Sequence, residues 1–156
     1  MTAHHEAGHA VAAFLSGCDV RKIDIDGDGD ARGLTHHGPS EWSYTSFSPS
    51  GITSVDADEA FITYAGPWAE TRLKCHSKAR GFRRAVEDAL KEQTAGPTSD
   101  GVLYRKALRE VHGGRRDQAW DVQLEEHWPG IQRVAALLLA GYVGVESRLP
   151  ELVGTR

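Results

Sequence analysis

The chain has 156 residues, enough to bury a sizeable core, and it reads as a single domain over 1–156. Its 18 basic against 22 acidic residues leave a net charge of −4, which argues against a nucleic-acid partner. Cys18 and Cys75 stand far apart without CxxC spacing, so neither a disulfide framework nor a cysteine metal site is expected. No apolar run reaches the roughly 18 residues that span a bilayer, and no secretory signal is visible, so the expected location is the cytoplasm, away from membranes.

In chain order, Thr2 caps a helix running to about Ser16, stopped by Gly17, with Ala7, Ala10, Val11, Phe14 and Leu15 as its buried stripe. Val20, Ile23 and Ile25 suit a strand, "DGDGD" a turn and "RGLTHH" a returning strand, together one small β-hairpin. Residues 38–54, rich in Ser, Pro and Gly, read as a long loop. A helix follows from Asp56, with Gly66-Pro67 expected to kink or split it. "GFRRAVEDALKEQ" is a further amphipathic helix, ended by Gly96-Pro97. "TSDGVLYRKALREVHGG" is another, capped by Thr98 or Ser99 and stopped by Gly113-Gly114. Residues 116–143 form one long helix or a pair interrupted near Pro129. The expected fold is mainly α (α+β), a helical domain with one small β-hairpin.

The chemistry gathers at the N-terminus. His5-Glu6-Ala7-Gly8-His9 fits H-E-x-x-H. Residues four apart share a helix face, so two imidazoles can reach one metal, and Zn²⁺ with its tetrahedral preference suits them. Glu6, beside the first ligand, can take a proton from metal-bound water and pass it to a leaving amine. His4 falls on another face. Gly8 costs about 1 kcal/mol inside a helix, which implies close approach by another backbone or by substrate. A third ligand must come from further along. Glu70, Asp88, Asp100, Asp117, Asp121, His36, His37, His76, His112 and His127 are the candidates, and spacing does not choose among them.

"HHEAGHAVAAFL" strongly resembles the opening of the zinc peptidase domain of the FtsH family, which carries HEAGHA with a hydrophobic continuation. "DIDGDGDARGLTHH", "YAGPWAE", "GPTSD" and "LEEHWPGIQRVAALLLA" are similar to that family's hairpin, glycine-rich helix, Gly-x-x-x-Asp stretch and closing helix. The resemblance covers nearly the whole chain and implies a zincin-like peptidase. Carried over, it implies that His5, His9 and Asp100 hold one zinc per chain and that Glu6 is the catalytic base and acid. Glu70 falls near the site, as a supporting residue or an alternative ligand. The family's membrane segments and ATPase are not in this sequence. The expected substrates are therefore peptides or unfolded protein, or segments presented by a separate unfoldase partner, and homo-oligomers are open to it.

The "ARGLTHH" strand can be an edge beside which an extended substrate lies, which makes Gly33, Leu34 and Thr35 candidate substrate-binding residues, or it can simply cover the core. Trp42, Tyr44 and Phe47 can line a pocket, form a lid or meet a partner. "DIDGDG" matches half a calcium loop, but Thr35 stands where a bidentate Glu is needed, so an acidic turn is expected. Trp68, Trp120 and Trp128 read as core or interface, His112 as a helix-end residue, and "ALLLAGYVGV" as a buried helix or subunit contact. The functional expectation is a zinc-dependent metallopeptidase without its own ATPase. The alternative is a non-catalytic zinc-binding regulatory or interaction module.

Overall fold

The computed structural model describes residues 3–25, 34–39, 43–48, 51–94 and 96–154, with backbone alone for 34, 43–48 and 51–55. Helix α1 (Ala3–Leu15) is its centre. Only a stripe was expected to be buried, yet every residue from His5 to Phe14 is. The reason is that α2 (Glu59–Lys74) covers one side and α6 (Trp128–Leu139) another. Alanines permit this, because a short side chain lets neighbouring helices come close. Gly8 takes it furthest: a Cβ there would collide with the Ala65 carbonyl oxygen and stand 2.9 Å from the Ala69 methyl. The close approach implied by Gly8 is therefore to the backbone of α2.

Gly17 ends α1 at φ 78°, donating to Phe14 O while Cys18 donates to Ala13 O, the paired bonds that satisfy a helix's last carbonyls. Strands β1 (Val20–Asp24) and β2 (Leu34–His37) then form the expected antiparallel hairpin, with Ile23 opposite Thr35. The "DGDGD" turn and its calcium reading lie outside the described residues, as do Gly33 and Trp42.

The stretch expected to be one loop instead contains a second antiparallel hairpin, β3 (Ser43–Ser48) with β4 (Gly51–Asp56), in continuous register from Ser43↔Asp56 to Ser48↔Gly51. Serines made it look like a loop, but Tyr44, Thr45, Phe47, Ile52, Thr53 and Val55 suit a pleated strand.

Helix α2 runs unbroken with Pro67 inside it, so the Gly66-Pro67 pair does not split it. The Thr71 hydroxyl donates to the Pro67 carbonyl at 2.8 Å, and both residues are buried. Packing holds together what proline would break in an isolated helix. Helices α3 (Phe82–Glu92) and α4 (Asp100–Val111) follow, then α5 (Ala119–Glu126), separated from α6 at His127, immediately before Trp128-Pro129. A 3₁₀ turn (Val145–Arg148) and α7 (Leu149–Val153) close the chain.

The architecture is mainly α, with two small hairpins. Trp68, Trp120 and Trp128 are all buried. Trp68 meets Phe82 and Trp128 edge-on at centroid distances of 5.7 and 6.0 Å, a favourable aromatic geometry. Helix α6 ends at Leu139, and Leu139, Tyr142 and Val143 are exposed, so "ALLLAGYVGV" does not continue as the buried helix expected. Among the described residues, no helix is long and apolar enough to cross a membrane.

Candidate metal centre

His5 and His9 lie one turn apart on α1 and face α2 and the start of α4. Three potential ligand atoms converge there. His5 Nε2 is 2.8 Å from Asp100 Oδ2, His9 Nε2 is 3.3 Å from the same oxygen, and the two Nε2 atoms are 3.0 Å apart. At metal–nitrogen distances near 2.0–2.1 Å, two corners of a tetrahedral site are about 3.3 Å apart, so the three atoms nearly form one face of such a tetrahedron.

Each ring's far nitrogen fixes what its near nitrogen offers. His9 Nδ1 donates to Ile62 O at 2.7 Å, so that the neutral ring presents its lone pair at Nε2. His5 Nδ1 is buried, with Glu70 Oε2 at 3.3 Å and off the line of a regular hydrogen bond. A proton on Nδ1 toward that carboxylate leaves Nε2 of His5 as a lone pair too. Two lone pairs and a carboxylate oxygen thus face one another, largely out of water, with His5 1% and His9 7% exposed. Such a set repels itself unless a cation lies among it.

The electrostatics of the residues pull in the same direction, toward a positive charge at the centre. Burial disfavours charge on His9, but Asp100, with help from Glu6, outweighs it and raises the pKa to about 9. Asp100 is itself held well below the usual carboxylate range, because the two histidines overcome the effect of burial. His5 in first place, and Lys74 at 3.0 Å, bring Glu70 down to about 2 against its burial.

Gly66 keeps the backbone of α2 from crowding the ligand atoms with a side chain. A Cβ added to Gly66 would stand 2.8 Å from His5 Nε2 and 2.5 Å from His9 Cε1 and would collide with His9 Nε2. Glycine therefore leaves a gap beside the ligand atoms that even a methyl group would fill. The His5–His9–Asp100 group is positioned to hold a metal ion.

Asp100 arrives from 91 residues away because of a second glycine. A Cβ on Gly101 would collide with Leu90 O and stand 2.5 Å from Gln93 O. Gly101 N donates to Gln93 O at 3.1 Å, so the first turn of α4 sits directly on the carbonyl end of α3. Asp100, at the first position of α4, also has its negative charge favoured by the helix N-terminus.

Glu6 is 2% exposed. The Thr35 hydroxyl lies 3.1 Å from both Glu6 Oε2 and Glu6 O, so β2 holds the carboxylate in place. Of the three residues expected to bind substrate, Thr35 directs its hydroxyl to Glu6, Leu34 is described by its backbone alone, and Gly33 lies outside the described residues. Glu70 faces Nδ1 of His5 and so supports that ring from behind.

The other ligand candidates are placed elsewhere. Asp88 pairs with Lys91, Asp121 with Tyr64 and Arg116, and Asp117 binds the Ala119 amide. His112 approaches Ala57 O, His127 approaches Gln123 O, and His4 stacks on Trp128.

Sequence reasoning missed Gly66, Gly101 and the Ile62 carbonyl. Gly66 had a signal, a glycine inside a helix, but proline beside it drew the reading toward a kink. Glu59 was also missed. Burial raises its pKa, opposed by His37 and reinforced by Asp56, with smaller effects from His9 and Asp100.

Compared with known protein families, curated proteins and solved structures, the chain matches none, so the functional reading rests on its own residues.

Proposed function

We propose that this chain is a zinc-dependent metallopeptidase, similar in its site to the FtsH peptidase. The observation that carries the reading is the convergence of two imidazole lone pairs and a carboxylate oxygen beside the Gly66 gap, with the Glu6 carboxylate on the next residue. Two nitrogens and one oxygen in near-tetrahedral disposition suit Zn²⁺ among common cations, and three protein ligands leave a fourth position open. When bound, zinc supplies an acidified water and a Lewis acid for the scissile carbonyl.

The chain's own residues do the rest. His5 and His9, with Nδ1 turned toward Glu70 and the Ile62 carbonyl, would hold the ion through Nε2, and Asp100 would compensate its charge. Glu6 accepts the proton released as water adds to the carbonyl carbon. It delivers that proton to the amide nitrogen as the C–N bond breaks, consuming one water per bond cleaved. Thr35 restrains the Glu6 carboxylate for both transfers. Peptides or unfolded segments in the cytoplasm are the proposed substrates, laid along β2 and presented by a separate unfoldase where the target is folded.

Glu6→Gln tests this reading. Zinc by elemental analysis should stay at one per chain, while hydrolysis of an unfolded casein substrate falls roughly 10²–10⁴-fold. Equal hydrolysis by wild type and variant would remove Glu6 from the chemistry. A wild type that holds zinc but cleaves nothing would favour the non-catalytic module.

A further inference from the structure

A cavity of about 260 Å³ opens between α3, α4 and the residues that follow α4. Its apolar lining is Leu90, Tyr104 and Leu108, and its charged lining includes Arg105, Arg116 and Glu87. This volume lies just below the range for drug-sized ligands, so it suits a smaller molecule.

Arg116 is the informative residue. Its guanidinium lies 5.1 Å from the Tyr64 ring centroid, and its side chain is only 12% exposed. Nη1 donates to Asp121 Oδ2 at 2.9 Å and makes a long contact of 3.5 Å with Asp117 O. Among the described residues, Nε and Nη2 have no hydrogen-bond acceptor, yet neither is sealed from solvent. These two nitrogens form the guanidinium's carboxylate-gripping fork. In Arg72 the same pair holds both oxygens of Glu125 at 2.9 and 3.0 Å. In Arg148 it holds both oxygens of Glu151 at 3.1 and 2.9 Å. In Arg116 the fork is open, at the edge of an apolar cavity.

Charge points the same way. Asp121 Oδ2 serves Arg83 at 3.0 Å as well as Arg116, while Oδ1 accepts from Tyr64 at 2.7 Å. Two guanidiniums thus share one carboxylate, and in the cavity lining Glu87 stands as the one carboxylate beside Lys91, Arg105 and Arg116. Arg105 adds an exposed cation with no ion-pair partner among the described residues.

We infer that this cavity binds a small apolar carboxylate. The carboxylate lies on the Nε/Nη2 fork of Arg116, as a bidentate charge-assisted pair, and the apolar body lies on Leu90, Tyr104 and Leu108. The same chemistry is offered by the C-terminal residue of a peptide and by a free branched-chain acid.

The test is titration of the ¹⁵N-labelled full chain with N-acetyl-leucine, N-acetyl-leucinamide and 4-methylpentanoate, followed by NMR. At least one acid should shift the amides of Tyr104, Leu108 and Gly114 and bind at least tenfold more tightly than the amide compound, which keeps the shape and loses the charge. Tighter binding of N-acetyl-leucine identifies a peptide terminus, and tighter binding of 4-methylpentanoate identifies a free acid. Arg116→Gln should bring the acids down to the level of the amide compound. The wild-type acid–amide comparison stands even if that variant folds poorly. Equal binding of acids and amide compound, shifts confined to α1 around His5 and His9, or no shift at 10-fold excess over millimolar protein would each overturn the inference.

Discussion

Two polar clusters flank α2, and they are unbalanced in opposite senses. On one side His5, His9 and Asp100 bring three potential ligand atoms within 3.3 Å of one another, a set that suits a cation, proton or metal, among them. On the other, Tyr64, Arg83 and Arg116 direct their donors onto the single carboxylate of Asp121, and one guanidinium fork is left over. An excess of acceptors marks a place for a cation, and an excess of donors a place for an anion. Burial alone distinguishes neither cluster, since low dielectric raises the cost of any unmatched polar atom. What matters is the arithmetic of donors and acceptors inside each one.

The sharpest way to break the contrast is to fill the cation's gap. Gly66→Ala places a methyl group against both imidazoles, and isothermal titration should show zinc binding abolished. Retained affinity would mean that the ion, if any, lies elsewhere. Next in size is the effect of metal on stability. Zinc at a hundred times its Kd should stabilise the wild type by about 2.7 kcal/mol. For a domain of this size that is a rise in Tm of roughly 5–10 °C by calorimetry. Asp100→Ala should lose this rise, whereas Glu6→Gln should keep it.

The second cluster predicts smaller, metal-independent effects. Tyr64→Phe removes one donor from Asp121 and should cost about 1 kcal/mol in urea unfolding, with zinc affinity unchanged. A change in zinc affinity would show that the two clusters communicate through α2.

The smallest effect belongs to the matched pair of Arg72 with Glu125. Arg72 in first place holds the Glu125 carboxyl below its ordinary range against partial burial. A carboxyl depressed in the folded state adds stability above its unfolded pKa and loses it as pH falls through the folded value. Glu125→Gln should therefore cost about 0.5–1 kcal/mol at pH 7. The gap from wild type should narrow as pH falls below about 4.3 and close only under the depressed folded value, where both side chains are neutral, as urea unfolding at several pH values would show.

Legibility in the sequence followed the range of the interaction concerned. The helix carrying His5, Glu6 and His9 was readable because four-residue spacing and alanine-rich composition act locally. Its burial on nearly all sides was not, because that depends on α2 and α6 arriving from elsewhere. Asp100 was one of many ligand candidates by spacing and stood out only through the family resemblance. The second hairpin was hidden by serines, whose loop preference is weaker than the pairing of Tyr44 with Val55 and Phe47 with Ile52 along a complete register. The unbroken α2 reversed an expectation drawn from Gly66-Pro67, since burial against α1 offsets the hydrogen bond that proline cannot make.

By itself the sequence determined the elements set by short-range periodicity: α1 with its H-E-x-x-H face, the first hairpin, the stop at Gly17 and the helical class of the rest. Tertiary structure alone decided that Asp100 meets the two histidines, that only glycine fits at position 66 beside them, and that the Arg116 fork stays open. Backbone geometry repeats every few residues and can be read along the chain. A balance of donors, acceptors and space is struck between segments tens of residues apart, and it exists only once they are packed together.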